Sequence, residues 1–316
     1  MKRIALSSSA FGLVFASLLP AAAFPVTVES CGRQMTVEAP PRRAVSYGSN
    51  LTEIMLALGL ESHMAGFIGQ GDRLRASAAS DFPAVSSLEE LQRSYPSLEL
   101  FLDKDIDFYF AGWSYGMRVG GEVTPDSLGV YGIPVYELSE SCIRLRQTKP
   151  PTFDYLYRDL ENLAAIFGVP ERAAALVAGY RQRIAAVQAA VSGKERPDVF
   201  IYDSGERTPF TAGGYSMPQA ILDTAGGSNI FADISSSWVR VDWETVADRN
   251  PSAIVIVDYG EVTAEEKIAF LKRMPALAHV NAIREGRFLV LTYDDLTPGP
   301  RNVQAAERLA EFLHGQ

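Results

Sequence analysis

Histidine and cysteine are scarce in this chain of 316 residues, with three of the first and two of the second. His63, His279 and His314 stand far apart, and no H-x-x-x-H, H-E-x-x-H or Cys/His cluster occurs. Transition-metal sites built from those ligands are therefore excluded, and no resident metal or cofactor is expected. The nucleophile elbow G-x-S-x-G is also missing, because Gly214-Tyr-Ser216-Met-Pro lacks the second glycine. The glycine-rich pieces TAGGY and AGGSN carry neither the P-loop lysine nor a full dinucleotide fingerprint. The first suits a helix N-terminus turned toward a ligand, and the second reads as a helix C-cap. Nothing in the pattern asks for catalysis.

Positive charge is short as well. Lysine and arginine total 29 against 38 acidic residues, a formal charge of −9. That balance makes nucleic acid and anionic membrane surfaces poor partners. Only the N-terminus carries a long apolar run. It reads MKR, then IALSSSAFGLVFASLL, then PAAAF. A basic start, a short apolar core and an Ala21-x-Ala23 site predict a signal peptide over residues 1–23, cut before Phe24. The run is too short and too rich in serine to serve as an anchor. Losing Lys2 and Arg3 takes the charge from −9 to −11. The mature chain is expected in the periplasm or an equivalent space. Cys31 lies well past the apolar core, directly after Glu29 and Ser30, which argues against a lipid anchor there. In an oxidising compartment Cys31 and Cys142 read as a disulfide, with two buried, inert thiols as the alternative.

Along the rest of the chain, VTVES and QMTVE alternate around Cys31-Gly32 and predict a small hairpin. RAVSY reads as a buried strand, and Asn50-Leu-Thr-Glu53 matches a capping box ahead of Leu51, Ile54, Met55 and Leu58 at helical spacing. MAGFI, IDFYFAG and IPVYEL follow as strands, each after a helix or turn. TFDYLYRDLENLAAIFGV and ERAAALVAGYRQRIAAVQAAV are consecutive helices separated by Pro170. The strand–helix pattern then resumes with DVFIYD, a helix near Met217–Ala225, AIVIVDY, FLVLTYD and a final helix over Val303–Leu313. Strands alternating with helices predict parallel sheets and an α/β fold. A weak repeat links the halves. Ser97-Leu-Glu99 and Asp242-Trp-Glu244 each open a helix, and in each half the next strand ends fourteen residues after the glutamate, at Trp113 and Asp258.

In open parallel sheets, ligands sit beyond the carboxyl ends of the strands. The sequence places Tyr47, Gly112-Trp113-Ser114-Tyr115, Phe210 to Tyr215, Asp258-Tyr259 and Tyr293-Asp294-Asp295 there, with Trp238 on a loop. Flat rings with phenol and indole donors suit a bulky ligand that is part apolar and part polar. Capping of the core from above is the plainer explanation for any one of them.

These landmarks together resemble the periplasmic binding proteins that deliver ferric siderophores, haem and cobalamin to ABC importers. The resemblance is carried by RAVSYGSNLTEIMLALGL, PSLELFLDKDIDFYFAG, LGVYGIPVYEL, FTAGGYSMPQAILDTAGGSNIF and VDWETVADRNPSAIVIV. It covers nearly all of the mature chain. It implies two Rossmann-like lobes with parallel sheets joined by one long helix, clamping a metal chelate with little hinge motion. The lobes are expected over residues 24–169, with the hairpin, and 193–316, with the connecting helix over 170–192. Tyr47, Trp113, Phe210, Trp238 and the Tyr293–Arg301 loop match crevice positions of that family, while Tyr115 and Tyr215 join them by local placement. Glu99 and Glu244 match the glutamates that contact permease arginines, although each also complements its own helix N-terminus. The metal-ion branch of the superfamily needs histidine and carboxylate ligands that this chain lacks. Arg301, Arg240 and Arg118, if they face the crevice, favour an anionic ferric chelate; otherwise a neutral corrinoid gains. The expectation is a monomeric, non-enzymatic solute-binding protein with a small-molecule metal chelate and an ABC permease as partners. A sensor of the same fold and a metal-chelatase-like enzyme are the competitors.

Overall fold

A computed structural model of the chain describes residues 24–145 and 149–315. The expected signal peptide lies outside the described residues. Two separate sheets organise the molecule. In the first, parallel strands run in the order Glu90–Gln92, Met64–Ile68, Ala44–Tyr47, Phe108–Trp113 and Val135–Glu137, with Gly116–Met117 at one edge. In the second, the parallel order is Ser228–Asn229, Asp198–Tyr202, Ala253–Asp258 and Phe288–Thr292. The central strands Phe108–Trp113 and Ala253–Asp258 are continuous runs of apolar or small residues because helices cover both faces. Both end where the repeat places them, at Trp113 and Asp258.

The helix Pro170–Val191 is the longest among the described residues, at 22 residues. Proline at its start supplies a preset φ where a backbone donor would go unused. Arg172 Nη1 donates to the carbonyls of Leu58 and Gly59, tying the helix to the first lobe. Near its other end Arg183 forks onto Glu307 at 2.7 and 2.6 Å, tying it to the C-terminal helix Asn302–His314. The mixed α/β architecture, with two lobes and one long connecting helix, matches the expectation.

One local expectation fails. Helix Gly48–Ala57 begins before Asn50, with Tyr47 as its N-cap and no side-chain cap bond. Asn50 and Glu53 are both buried, and they face the second lobe. Asn50 Nδ2 donates to the Pro298 carbonyl at 2.8 Å, and Glu53 receives Arg301. The capping-box pattern is present in the sequence, but cross-lobe partners claim its side chains.

The hairpin Val26–Ser30 with Arg33–Val37 docks on the first lobe through one buried carboxylate. Glu137 accepts from Ser30 Oγ at 2.9 Å, Arg33 Nη2 at 2.6 Å and Trp113 Nε1 at 2.8 Å. Beside it, Cys31 and Cys142 form a disulfide with a Cα–Cα distance of 5.3 Å. The bond pins the short helical segment Ser139–Leu145 against the hairpin turn. Replacing both cysteines by alanine releases a loop spanning a sequence separation of 111. In the chain-entropy account that costs about 4–5 kcal/mol. Urea denaturation checks it, and a loss below about 1 kcal/mol would mean that other contacts already hold the hairpin.

Candidate ligand-binding site

The carboxyl ends of the two sheets face each other across a cavity of ≈ 210 Å³. Trp113, Tyr115, Glu140 and Arg144 line it from the first lobe; Asp203, Phe210, Ser237, Trp238, Tyr259 and Tyr293 are the main lining from the second. Larger depressions lie elsewhere, of ≈ 480 and 430 Å³ along the helix Pro170–Val191 and of ≈ 490 and 380 Å³ on the second lobe. None of these is lined by strand exits of both lobes, so the smaller, aromatic cavity is the better candidate.

Each wall has a local cause. After Trp113 the chain turns back on itself, with Gly112 and Tyr115 exchanging both backbone hydrogen bonds. Ser114 takes the left-handed backbone, φ 74°, and Gly116 lies at φ 90°. A Cβ on Gly116 would sit 2.2 Å from the Tyr109 hydroxyl and 2.6 Å from the Tyr47 ring, so only glycine fits. This turn presents Tyr115 to the cavity. Trp113 itself is 7% exposed, and its indole donor is spent on Glu137. It forms the floor of the cavity and shares in the core, and it offers a ligand a ring surface without an N–H.

Opposite, the ribbon Phe210–Ala212 pairs antiparallel with Trp238–Arg240 and stacks Phe210 on Trp238 at 5.7 Å. Gly213 and Gly214 let the loop before Trp238 close in: added Cβ atoms would lie 2.4 Å from the Ser236 carbonyl and 2.2 Å from that of Ala232. The glycines of TAGGY therefore build a wall through backbone packing, in place of the helix-terminus role expected of them. Tyr259 donates to Asp203 Oδ1 at 2.6 Å, with Lys267 Nζ 4.7 Å from its ring. Lys267 is itself buried and donates to the Val257 carbonyl; burial pushes its ammonium pKa down.

Among the proposed crevice residues, Trp113, Tyr115, Phe210, Trp238 and Tyr293 converge on this cavity. Tyr47 does not line it. It packs on Tyr95 at 5.3 Å, and Arg118 covers the Tyr95 ring at 4.1 Å. Tyr215 is held by its backbone N–H to the Ser236 carbonyl and is not part of the lining. Arg301 is also outside. Its Nε lies 3.0 and 2.8 Å from the two oxygens of Glu53, and its Nη2 donates to the Ser77 carbonyl and pairs with Asp81 at 3.2 Å. Arg240 lies over Phe210 and donates to the Thr208 carbonyl. Glu99 and Glu244 are exposed in the first turns of helices Leu98–Asp103 and Trp243–Arg249, one on each lobe.

Sequence reasoning missed Glu140, Arg144, Asp203 and Ser237. Glu140 is 4% exposed and accepts from Ser237 Oγ of the opposite lobe at 2.9 Å. Burial lifts its carboxyl from 4.5 to about 7. Deeper in the same lobe, Asp159 accepts from Ser139 Oγ and the Tyr136 hydroxyl, and burial lifts it to about 6 despite those bonds. Among the described residues no group of three His, Cys, Asp or Glu side chains is placed to hold a metal ion.

A carboxyl whose pKa is higher folded than unfolded binds protons preferentially in the folded state. Its contribution is complete below the unfolded value and fades as pH rises through the folded one. The ligand-free protein is therefore expected to lose stability between about pH 5 and 8, on the order of 2–3 kcal/mol from Glu140. Urea midpoints at both ends of that range test this; a midpoint that rises with pH contradicts it.

The family model described as periplasmic binding protein matches residues 131–294. Among solved structures, a periplasmic binding protein from Veillonella parvula aligns with a TM-score of 0.79 and 30% identity, over 94% of this chain and 99% of that one. An ABC-type Fe3+-hydroxamate transport system protein from Saccharomonospora viridis aligns with a TM-score of 0.77 and 25% identity, over 92% and 100%. Two curated relatives add function by name. An uncharacterized ABC transporter substrate-binding lipoprotein of Bacillus subtilis is 25% identical over 92% of this chain and 86% of its own length. The vitamin B12-binding protein of Salmonella typhimurium is 32% identical over 39% of this chain and 46% of its own.

Proposed function

This chain belongs to the periplasmic binding protein family, and from that premise we propose that it captures a neutral metal chelate of the corrinoid class and delivers it to an ABC permease. It acts in the periplasm after removal of a signal peptide, as a monomer, and leaves its cargo chemically unchanged. The lobes are assigned to residues 24–169 and 193–316 around the connecting helix 170–192.

The observation that carries the ligand class is the charge of the cavity. Aromatic rings form both walls, two carboxyls (Glu140 and Asp203) lie between them, and among the described residues a single arginine, the exposed Arg144, joins the lining. Arg301 and Arg118 are engaged elsewhere, and Arg240 and Arg73 pack on the Phe210 and Tyr293 rings without joining the lining. A polyanionic ferric siderophore would find little compensating charge here, and burying unpaired charge is costly. A neutral, amide-fringed macrocycle pays no such cost, and its faces match the rings. The name of the Salmonella relative points the same way. At ≈ 210 Å³ the cavity is tighter than the several hundred Å³ usual for cofactor-sized ligands, so seating cargo requires the lobes to part.

Tryptophan-fluorescence titration of the purified chain with cyanocobalamin, haemin and a trianionic ferric catecholate tests the assignment. Cyanocobalamin is expected to bind tightest, and the paired substitution Phe210→Ala/Trp238→Ala to weaken it at least about tenfold. Unchanged affinity in that variant, or preference for the catecholate, would sink the reading. Trp113 is too deeply packed to give a clean comparison.

Docking is assigned to Glu99 and Glu244, exposed at matching helix starts on the two lobes. Charge reversal of both should leave cargo affinity intact while reducing cargo-stimulated ATP hydrolysis by the reconstituted permease, roughly tenfold or more at low salt. Equal stimulation by the variant would exclude these positions.

A further inference from the structure

Among the described residues, Glu140 is the buried carboxyl that lines the cavity and bonds across the lobe boundary at once. It stands on the segment Ser139–Leu145, which the Cys31–Cys142 disulfide anchors to the hairpin. Its Oε1 accepts from Ser237 across the lobe boundary, the only hydrogen bond its carboxyl makes among the described residues. The residue lines the cavity beside Tyr115 and Ser237, so its other oxygen is left to cargo or water. We propose that Glu140 is the specificity-determining residue of this cavity: in the loaded state its carboxyl is the uncharged acid, and it donates a hydrogen bond to an oxygen acceptor on the cargo. The proposal rests on the assignment of this cavity as the cargo site.

The surroundings favour the acid. Arg144 is the only cation on the same segment that lines the cavity, and its side chain is exposed, where water screens it. From helix Phe153–Ile166 the facing charge is Asp159, like in sign, with Arg158 turned onto Ser139. The strand-exit loop contributes the Tyr115 phenol, and across the cavity stand Asp203, Tyr259 and Tyr293; the cations on that side, Arg73 at 4.2 Å from the Tyr293 ring and Lys267 at 4.7 Å from the Tyr259 ring, pack on those rings and are not part of the lining. Empty, the site already holds the carboxyl near the middle of its titration at neutral pH, because burial raises it to about 7. Neutral cargo displaces the remaining water and disfavours the charged form further. A carboxylic acid with one oxygen accepting from Ser237 has its O–H free for an acceptor such as a carboxamide oxygen. A ligand that presents a carboxylate or a phosphate oxygen benefits only while Glu140 stays protonated, and a cationic ligand would prefer the opposite state.

Capture therefore takes up a proton, and affinity falls as pH rises above neutrality, approaching tenfold per unit. The test uses the full mature chain and the three probes named above, cyanocobalamin, haemin and the ferric catecholate, titrated from pH 5.5 to 8.5. For whichever binds, the dissociation constant is expected to increase with pH. Glu140→Gln, which keeps an uncharged donor in place, should flatten that slope, and Glu140→Ala should weaken binding across the range. Calorimetry of the unsubstituted protein in buffers of different ionisation enthalpy gives the proton count directly and is independent of how the variants fold. Net uptake with a flattened slope in Glu140→Gln supports the assignment. Binding with no proton uptake, or with equal slopes in both proteins, overturns it while leaving the cavity as the cargo site. Failure of all three probes to bind folded protein overturns the cavity reading and this inference together.

Discussion

Arg301 crosses from the second lobe into the first and closes on buried Glu53, the Ser77 carbonyl and Asp81. The relation of the two sheets depends on this contact. Breaking a buried pair by removing one partner leaves a stranded charge, a cost of roughly 3–5 kcal/mol, so the junction resists opening where Arg301 sits. Asn50 to Pro298 and Ser49 to Asp294, at 2.8 and 2.5 Å, reinforce the same edge. At the cavity the lobes meet through a neutral hydrogen bond, Ser237 to Glu140, and through Arg73 of the first lobe lying over the Tyr293 ring at 4.2 Å. The molecule is thus fastened firmly at one edge and lightly at its mouth, which is what a clamp needs if cargo is to enter without dissolving the lobe interface.

The disulfide, the hairpin and Glu137 extend that logic into the first lobe. Glu137 collects Ser30, Arg33 and the Trp113 indole, so the floor of the cavity is positioned by a hairpin remote in sequence. The adjoining segment carries Glu140 and is fixed by Cys142. A mobile carboxyl could swing to water and ionise there cheaply; one held in place must titrate where it stands. Rigidity of the backbone here and the elevated proton affinity of Glu140 are two aspects of one arrangement.

Much of the fold was legible in the chain. Continuous apolar runs such as AIVIVD, interrupted at fixed intervals by helical patterns, leave few alternatives to parallel sheets covered on both faces. The equal spacing from Glu99 to Trp113 and from Glu244 to Asp258 marked the strand ends correctly. The site was legible in part. Aromatic residues just past strand ends were identifiable because chain direction and sheet type dictate where those ends point. Arg301 was misplaced because a charged residue after a strand can turn either way, and its partner Glu53 lies 248 positions distant in sequence. Glu140 stands just past the strand Val135–Glu137 and escaped notice because strand exits were read by their aromatic rings, whereas Ser237 precedes the strand Trp238–Arg240 and nothing in its neighbours announces burial.

The amino-acid sequence by itself determined the α/β pattern, the acidic balance, the shortage of metal-ligating side chains and the aromatic character of the strand exits, since each is a property of composition or of local period. Which side chains meet was decided only by tertiary structure. Arg301 joined Glu53 and turned away from the cavity, the Trp113 donor was consumed by Glu137, and Glu140 came to face Ser237. The two cross-lobe outcomes depend on how two sheets, each specified locally, are set against one another by contacts between residues 97 and 248 positions apart. Proton affinity and ligand charge preference follow from that juxtaposition, because desolvation and pairing are properties of surroundings that no short stretch of chain contains.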